Sequence, residues 1–335
     1  DLYFKLTGEK IKHDRRPYDT KDLTDHNDWI AVIHADGNGL GEIVANIGKD
    51  PGVMHEFSDK LDDATLAAAR DAYNAIREEE EEEAEAKKVK KLPIRPVVIG
   101  GDDLTVICRG NLAVNFVKEY LRAFEYRTKE NFKGLVPKIE NEEAKKLLSR
   151  CLTACAGIAF IKSSYPFYYG YDLAEALCGE AKKDAKSDEV KDANDGQAPS
   201  CLMFHKVQSS FVEDYAEIKR KELTTADGGS LCFGPYFLNE QAGRWTIKKL
   251  SEEVDKLTKE DNNRVKTAIR QWLTLMHEDA EAAKQHSKRV MVVIKGDKDK
   301  DIYKSATDGI QGKEPKCYPA FDILSLLTIT EQETK

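Results

Sequence analysis

Apolar positions along the chain fall into two rhythms. The first is short and unbroken. "WIAVIHA" at 29–35, the two arms of "RPVVIGGDDLTVICRG" at 95–110, "LTACAGIAFIK" at 152–162 and "SCLMFHKV" at 200–207 are apolar and largely β-branched. Runs of this kind, closed off by Gly, Pro or Asp, predict buried strands, and the second reads as a hairpin. The other rhythm is helical. Phe57, Leu61, Leu66, Ala69, Tyr73 and Ile76 recur at roughly helical spacing, predicting a helix from Val53 to about Lys88 that Pro93 and Pro96 terminate. Further helices are expected over 111–130 and 168–186.

The order is strand, helix, hairpin, helix, strand, helix, strand. It predicts an α+β, ferredoxin-like sheet with helices on one face. Beyond about residue 235 the rhythm becomes helical throughout, with Leu250, Val254 and Leu257, then Val265, Ile269, Leu273 and Met276. "PAFDILSLLTIT" at 319–330 is expected to close the fold as a helix, and 291–316 is too polar and irregular to assign. The expected organisation is an irregular lead-in at 1–27, an α+β domain at 28–235 and a mainly helical domain at 236–335. Glu78–Glu83 with Glu85, followed by Lys87, Lys88, Lys90 and Lys91, is an acidic-then-basic run. Glu83 and Lys87 stand at i,i+4, which favours an exposed helical extension over a metal site.

Composition narrows the picture. In 335 residues, 41% are hydrophobic, enough for a sizeable core. The net charge of −8 opposes wrapping of nucleic acid around the whole molecule and leaves a local basic groove open. Seven cysteines follow no zinc-ligand spacing and are expected as free, mostly buried thiols in a reducing, cytoplasmic compartment. No apolar stretch approaches the length of a membrane span, and no secretory leader is expected. The chain does not start with Met, and upstream domains are an open expectation.

The candidate chemistry sits where strands end. Asp36 closes the first strand, and Asp102 and Asp103 occupy the hairpin tip. In this fold the first strand and the hairpin lie side by side, so the three carboxylates are expected to converge. Clustered carboxylates are costly unless a cation joins them, and an all-oxygen set suits Mg²⁺ or Mn²⁺ rather than zinc. Gly37, Gly39 and Gly41 allow backbone to approach phosphates, with Leu40 between them, and Gly100 and Gly101 leave room for a base or sugar. Taken singly, "DGNG" and "GDD" are also ordinary turns. Together, each after a β-branched run, they favour a metal site.

"IAVIHADGNGLGEI" and "VVIGGDDLTVIC" resemble the two signature motifs of palm domains in the nucleotide cyclase and GGDEF group. The nearer resemblance is to the palm of the large, polymerase-like subunit of type III CRISPR effector complexes, which carries "GGDD" at the hairpin. "CAGIAFIKSSYPF", "DLAEALCGEAKKDAK", "PSCLMFHKV" and "LCFGPYFL" resemble later stretches of that family, so the likeness runs over about 28–330. It implies a palm at 28–235. It also implies Asp36, the Gly37 carbonyl and Asp103 as metal ligands, with Asp102 a second ligand or a base, and these aspartates as the catalytic set. Lys182 or Lys183 would contact a triphosphate, although lysine in a last helical turn is favoured by the macrodipole alone. Asn38 would contact nucleotide or simply form the turn.

The implied activity is a metal-dependent nucleotidyltransferase that converts ATP to cyclic oligoadenylate in antiviral defence. The alternatives are a stand-alone palm making a cyclic dinucleotide, with GTP as an open substrate, and a nucleotide-binding palm that is a structural subunit of an RNA-guided complex. Full-length family members carry an HD nuclease, a first palm and a zinc segment; here His13–Asp14 is a lone pair. The second palm is therefore expected either from a homodimer or from an absent N-terminal half. The other implied partners are RNA-guided complex subunits and target RNA, with no membrane.

Overall fold

The computed structural model describes residues 1–24, 27–47, 50–83, 91–209, 214–259, 262–309 and 315–331, with backbone alone for 78–83. The end of the acidic run, including the Glu83–Lys87 pair, lies outside the described residues. The chain divides into two compact units, Asp1–Gln208 with Pro235–Gln241, and Ser209–Gly234 with Ala242–Lys335.

The first unit runs α1 (Leu2–Thr7), β1 (Trp29–Gly37), α2 (Leu40–Ile47), α3 (Pro51–Glu83), β2 (Ile94–Gly100), β3 (Asp103–Arg109), α4 (Ala113–Phe132), α5 (Glu142–Leu148), β4 (Ala154–Lys162), α6 (Phe167–Ala185), α7 (Asp188–Asp192) and β5 (Cys201–Lys206). A short strand at Tyr236–Phe237, β6, completes a six-stranded sheet in the order β2-β3-β1-β4-β5-β6. The first four strands are antiparallel and give the expected ferredoxin-like order. β5 then joins β4 in parallel after the α6 crossover, and β6 joins β5 antiparallel. Pro96 is tolerated because β2 is an edge strand with a register shift between Pro96 and Val98.

The expectation of helices on one face does not hold. Residues 30–35 of β1 and 154–161 of β4 are buried without alternation, so both faces of the sheet are covered. α6 takes the face carrying Val32 and His34. A Cβ on Gly170 would lie 3.1 Å from Val32 Cγ2, and the His34 ring meets Tyr171 edge-on at 5.8 Å. α3 and α4 pack on each other against the other face. Ala64, Ala68, Ala69 and Ala72 keep the α3 flank slim, Phe57 stacks on Phe132, and Arg127 grips Asp71 with two hydrogen bonds of 2.9 and 3.0 Å.

Two further expectations need correction. The lead-in is not irregular: it holds α1 and two 3₁₀ turns, and α1 packs on α3 and β2. The compact units do not part at 235–236, because 235–241 stays with the sheet and 209–234 goes to the second unit.

That second unit contains α8 (Tyr215–Glu222), α9 (Ile247–Thr258), α10 (Asn263–Glu278), α11 (Ala280–Val293), α12 (Asp297–Thr307) and α13 (Ala320–Thr330). α13 is buried on nearly every side, as its largely apolar sequence requires, and Asp322 and Ser325 are buried with it. The unassigned 291–316 stretch contains the end of α11 and all of α12, whose few buried residues, Ile302, Tyr303, Ala306 and Thr307, are too sparse to stand out from its charges. Among the described residues no helix is long and apolar enough to cross a membrane.

Among the described glycines, Gly157 has the least room for a side chain. A Cβ there would sit 1.9 Å from Ala174 O and 2.6 Å from Cys178 N, so α6 can lie on β4 only over a glycine. Gly157→Ala should force helix and strand apart and cost about 1–3 kcal/mol or more, read as a lowered midpoint in urea denaturation.

Candidate metal and nucleotide site

Strand register assembles the acidic cluster. β1 and β3 pair from Ile30–Arg109 to Ala35–Leu104, and His34 Nδ1 lies 3.1 Å from Thr105 Oγ1 within that ladder. One step further brings Asp36 opposite Asp103, and opposite residues of an antiparallel pair share a face. The β2–β3 ladder ends at Gly100–Asp103, leaving Gly101 and Asp102 as a two-residue turn. Gly101 has φ +60°, the sign that II′ hairpins require at their first central position. Asp102 therefore projects from the tip beside the end of β1.

Gly37 makes that approach feasible. A Cβ on Gly37 would lie 3.1 Å from Asp102 Cβ and 2.5 Å from Leu40 Cδ1. The result is one carboxylate oxygen from each of Asp36, Asp102 and Asp103 within 4.8 Å of one another. Asp36 and Asp102 are partly buried and Asp103 is exposed. Burial, aided by hydrogen bonding to Asp36 and the charge of Asp36, pushes the Asp102 carboxyl up to about 6. Lys182, in the last turn of α6, forms an ion pair with Asp36 and donates to the Gly37 carbonyl at 2.8 Å. Its ammonium thus bridges the two groups expected to ligate a metal. An all-oxygen donor set that already accepts a cation fits Mg²⁺ or Mn²⁺.

The cluster opens into a cleft of about 470 Å³. Its lining includes Asp36, Gly37, Asn38, Gly39, Leu40, Gly41, Asp102 and Lys182 among the expected residues. Gly39 has φ +74°, and a Cβ at Gly39 or Gly41 would meet nothing within 4 Å. Asn38 is committed to the fold. Its backbone N–H donates to Thr153 O at 2.8 Å, its side-chain amide donates to Thr153 Oγ1 at 3.1 Å, and its carbonyl accepts from Cys155 Sγ at 3.4 Å.

Lys183 is exposed and outside the cleft lining, and Asp103, Gly100 and Gly101 also lie outside it. The Gly101 N–H and C=O are both taken by α3 rather than facing open space. Lys186, Lys191, Thr153 and Gln197 line the cleft without having been expected. Lys186 was discoverable, since it follows Lys182 by one helical turn. Lys191 and Gln197 come from the α6–β5 connection, where no periodicity marks them.

This arrangement, a ferredoxin-like sheet with acids at the end of β1 and at the tip of the adjacent hairpin and a helix lysine beside them, defines a palm domain. Residues 29–193 match the family model of the Cas10/Cmr2 second palm domain, and the sheet unit is a Cas10-like palm domain. Crystal structures of Csm1-Csm4 cassettes in complex with cA3 and with cA4 each match with TM-score 0.51 at 13% identity. Both cover 92% of this chain, and 36% and 37% of theirs. Csm1 in T.onnurineus matches with TM-score 0.50 at 12% identity, covering 94% of this chain and 40% of that one. The chain thus spans about two fifths of the solved chains that it matches. No curated protein sequence matches it.

The raised Asp102 pKa has a definite sign for stability. Its folded value lies above the unfolded one, so the native state binds the proton more tightly and loses stability as pH rises from about 4 to about 6. Without divalent cations, Asp102→Asn should be more stable than the parent at about pH 7 by on the order of 1–2 kcal/mol, allowing for partial exposure. The difference should vanish below about pH 4; urea denaturation at both pH values checks this.

Proposed function

We propose that this palm is a metal-dependent nucleotidyltransferase that converts ATP to cyclic oligoadenylate in a type III CRISPR-like antiviral system. The observation that carries the reading is the cluster of Asp36, Asp102 and Asp103, whose oxygens converge within 4.8 Å at the mouth of a cleft that also holds lysines. The match of residues 29–193 to the Cas10/Cmr2 second palm domain supports it, as does the fold shared with Csm1-Csm4 cassettes in complex with cA3 and cA4.

In the reaction a 3′-oxygen bonds to the α-phosphorus of a second ATP. The α–β phosphoanhydride bond breaks, pyrophosphate leaves, and the hydroxyl proton passes to a carboxylate of the cluster or to water. Divalent cations held by Asp36, Asp102, Asp103 and the Gly37 carbonyl would supply the positive charge that eases ionisation of the hydroxyl and departure of pyrophosphate. The chain's own residues bind and orient. The backbone of Gly39, Leu40 and Gly41, at the start of α2, offers N–H donors to phosphate oxygens. Lys182, Lys186 and Lys191 lie along the cleft as counter-charges for the triphosphate. Joining nucleotides end to end calls for two facing palms. The second comes from another copy of this chain or from the remainder of a longer protein, in company with RNA-guided complex subunits and target RNA.

The test is incubation of the chain with ATP, and separately GTP, plus Mn²⁺, with and without target RNA and guide complex, followed by separation of products. Cyclic oligoadenylate from ATP is expected. Asp102→Ala with Asp103→Ala should leave the circular dichroism spectrum unchanged and abolish product. A cyclic dinucleotide, or a GTP-derived product, would replace the base and ring size and keep the site. ATP binding without product in any arm would support a nucleotide-binding structural palm. Lys186→Ala with Lys191→Ala should weaken ATP about tenfold and AMP little, as measured by calorimetry.

A further inference from the structure

The acidic cluster has a mechanical problem. Asp102 sits on a two-residue hairpin turn, the part of a sheet least restrained by its ladder, and it faces two other carboxylates. An unrestrained tip would swing away and relieve the repulsion. It is restrained from α3. Asp62 Oδ1 accepts from the Gly101 N–H at 3.0 Å, and Thr65 Oγ1 donates to the Gly101 carbonyl at 2.6 Å. Asp62 and Thr65 are three residues apart and share one helical face. Thr65 is fully buried, so its hydroxyl has little alternative in solvent. Gly100 belongs to the same arrangement: a Cβ there would lie 3.3 Å from Asp62 Oδ1. Gly100 thus admits an α3 carboxylate to the turn, while Gly101 supplies the positive φ that the turn needs. With both polar groups of Gly101 held, the peptide planes on either side of it are fixed, and the next residue is Asp102.

We infer that Asp62 and Thr65 are positioning residues that hold the hairpin tip against carboxylate repulsion, so that Asp36, Asp102 and Asp103 are preset to receive divalent cations. This rests on the reading of the three aspartates as a metal site. Asp62 and Thr65 act through Gly101 and do not themselves join the cluster. α3 itself is anchored by the Arg127–Asp71 pair and the Phe57–Phe132 stack, so the support is a packed helix rather than a loop.

The experiment is Mn²⁺ titration of the full 335-residue chain, read as free Mn²⁺ by electron paramagnetic resonance, with thermal midpoints recorded alongside. Thr65→Val and Asp62→Ala should each weaken Mn²⁺ binding about tenfold or more, the range for groups that support metal ligands. Thr65→Ser and Asp62→Asn keep the hydroxyl donor and the Oδ1 acceptor and should retain affinity near that of the parent. Asp62 is only half-buried, so Asp62→Ala should fold even if Thr65→Val does not. Lower thermal midpoints with unchanged Mn²⁺ affinity would overturn the inference, leaving a merely structural contact and the metal site intact. A parent chain that binds no Mn²⁺, or whose binding survives Asp102→Ala with Asp103→Ala, would remove the metal-site reading and this inference with it.

Discussion

Three carboxylates held within one small volume repel each other, and much of the palm is arranged to keep them there. Two of the three belong to a strand ladder and cannot drift without breaking it. Asp36, next to last in β1, pairs with Cys155 of β4, and Asp103 opens β3 in a pair with Gly100. The third, Asp102, stands on the turn, where Gly37 gives it space and α3 holds the neighbouring peptide. Lys182 returns positive charge to Asp36 from the opposite face of the sheet. Burial first, then the hydrogen bond and charge of Asp36, raise the pKa of Asp102.

The two-sided cover of the sheet serves the same end. α3 approaches the hairpin from one face and α6 approaches β1 from the other, so the site is gripped between helices that do not pack on each other. Each helix comes close for a specific reason. α3 presents alanines, and α6 crosses β4 over Gly157, where any side chain would meet helix backbone. The closeness of α6 sets Lys182 within reach of Asp36 and Gly37. Cys155, opposite Asp36 in the β1–β4 register, hydrogen-bonds to Asn38 and ties the glycine-rich loop after β1 to the core.

The match of residues 29–193 to the Cas10/Cmr2 second palm domain agrees with this geometry. It leaves the helical second unit to be described by its own packing. There, α9, α10 and α12 pack on the largely apolar α13, and α11 packs on α10. Periodicity was a sufficient guide for Leu250, Val254 and Leu257, all buried. It failed over α12, where charged residues dilute the signal and only tertiary contact shows which side chains face inward.

Much of the sheet unit was legible in the chain because strands buried on both faces are short apolar runs, and such runs stand out whatever surrounds them. The pairing of "DGNG" with "GGDD" likewise pointed to one acidic site, since each motif ends or turns a strand and the strand order makes them neighbours. Sequence by itself therefore determined which residues carry charge into the sheet's edge and roughly how the strands follow one another. Which face each helix covers, what the Gly100–Gly101 pair is for, and which lysines line the cleft were decided only by tertiary structure. The reason is that a local pattern reports whether a side chain is buried and not what it is buried against. Gly101 reads as a turn glycine in either case. Its two hydrogen bonds to Asp62 and Thr65 exist only because a helix more than thirty residues away in sequence is packed against the hairpin.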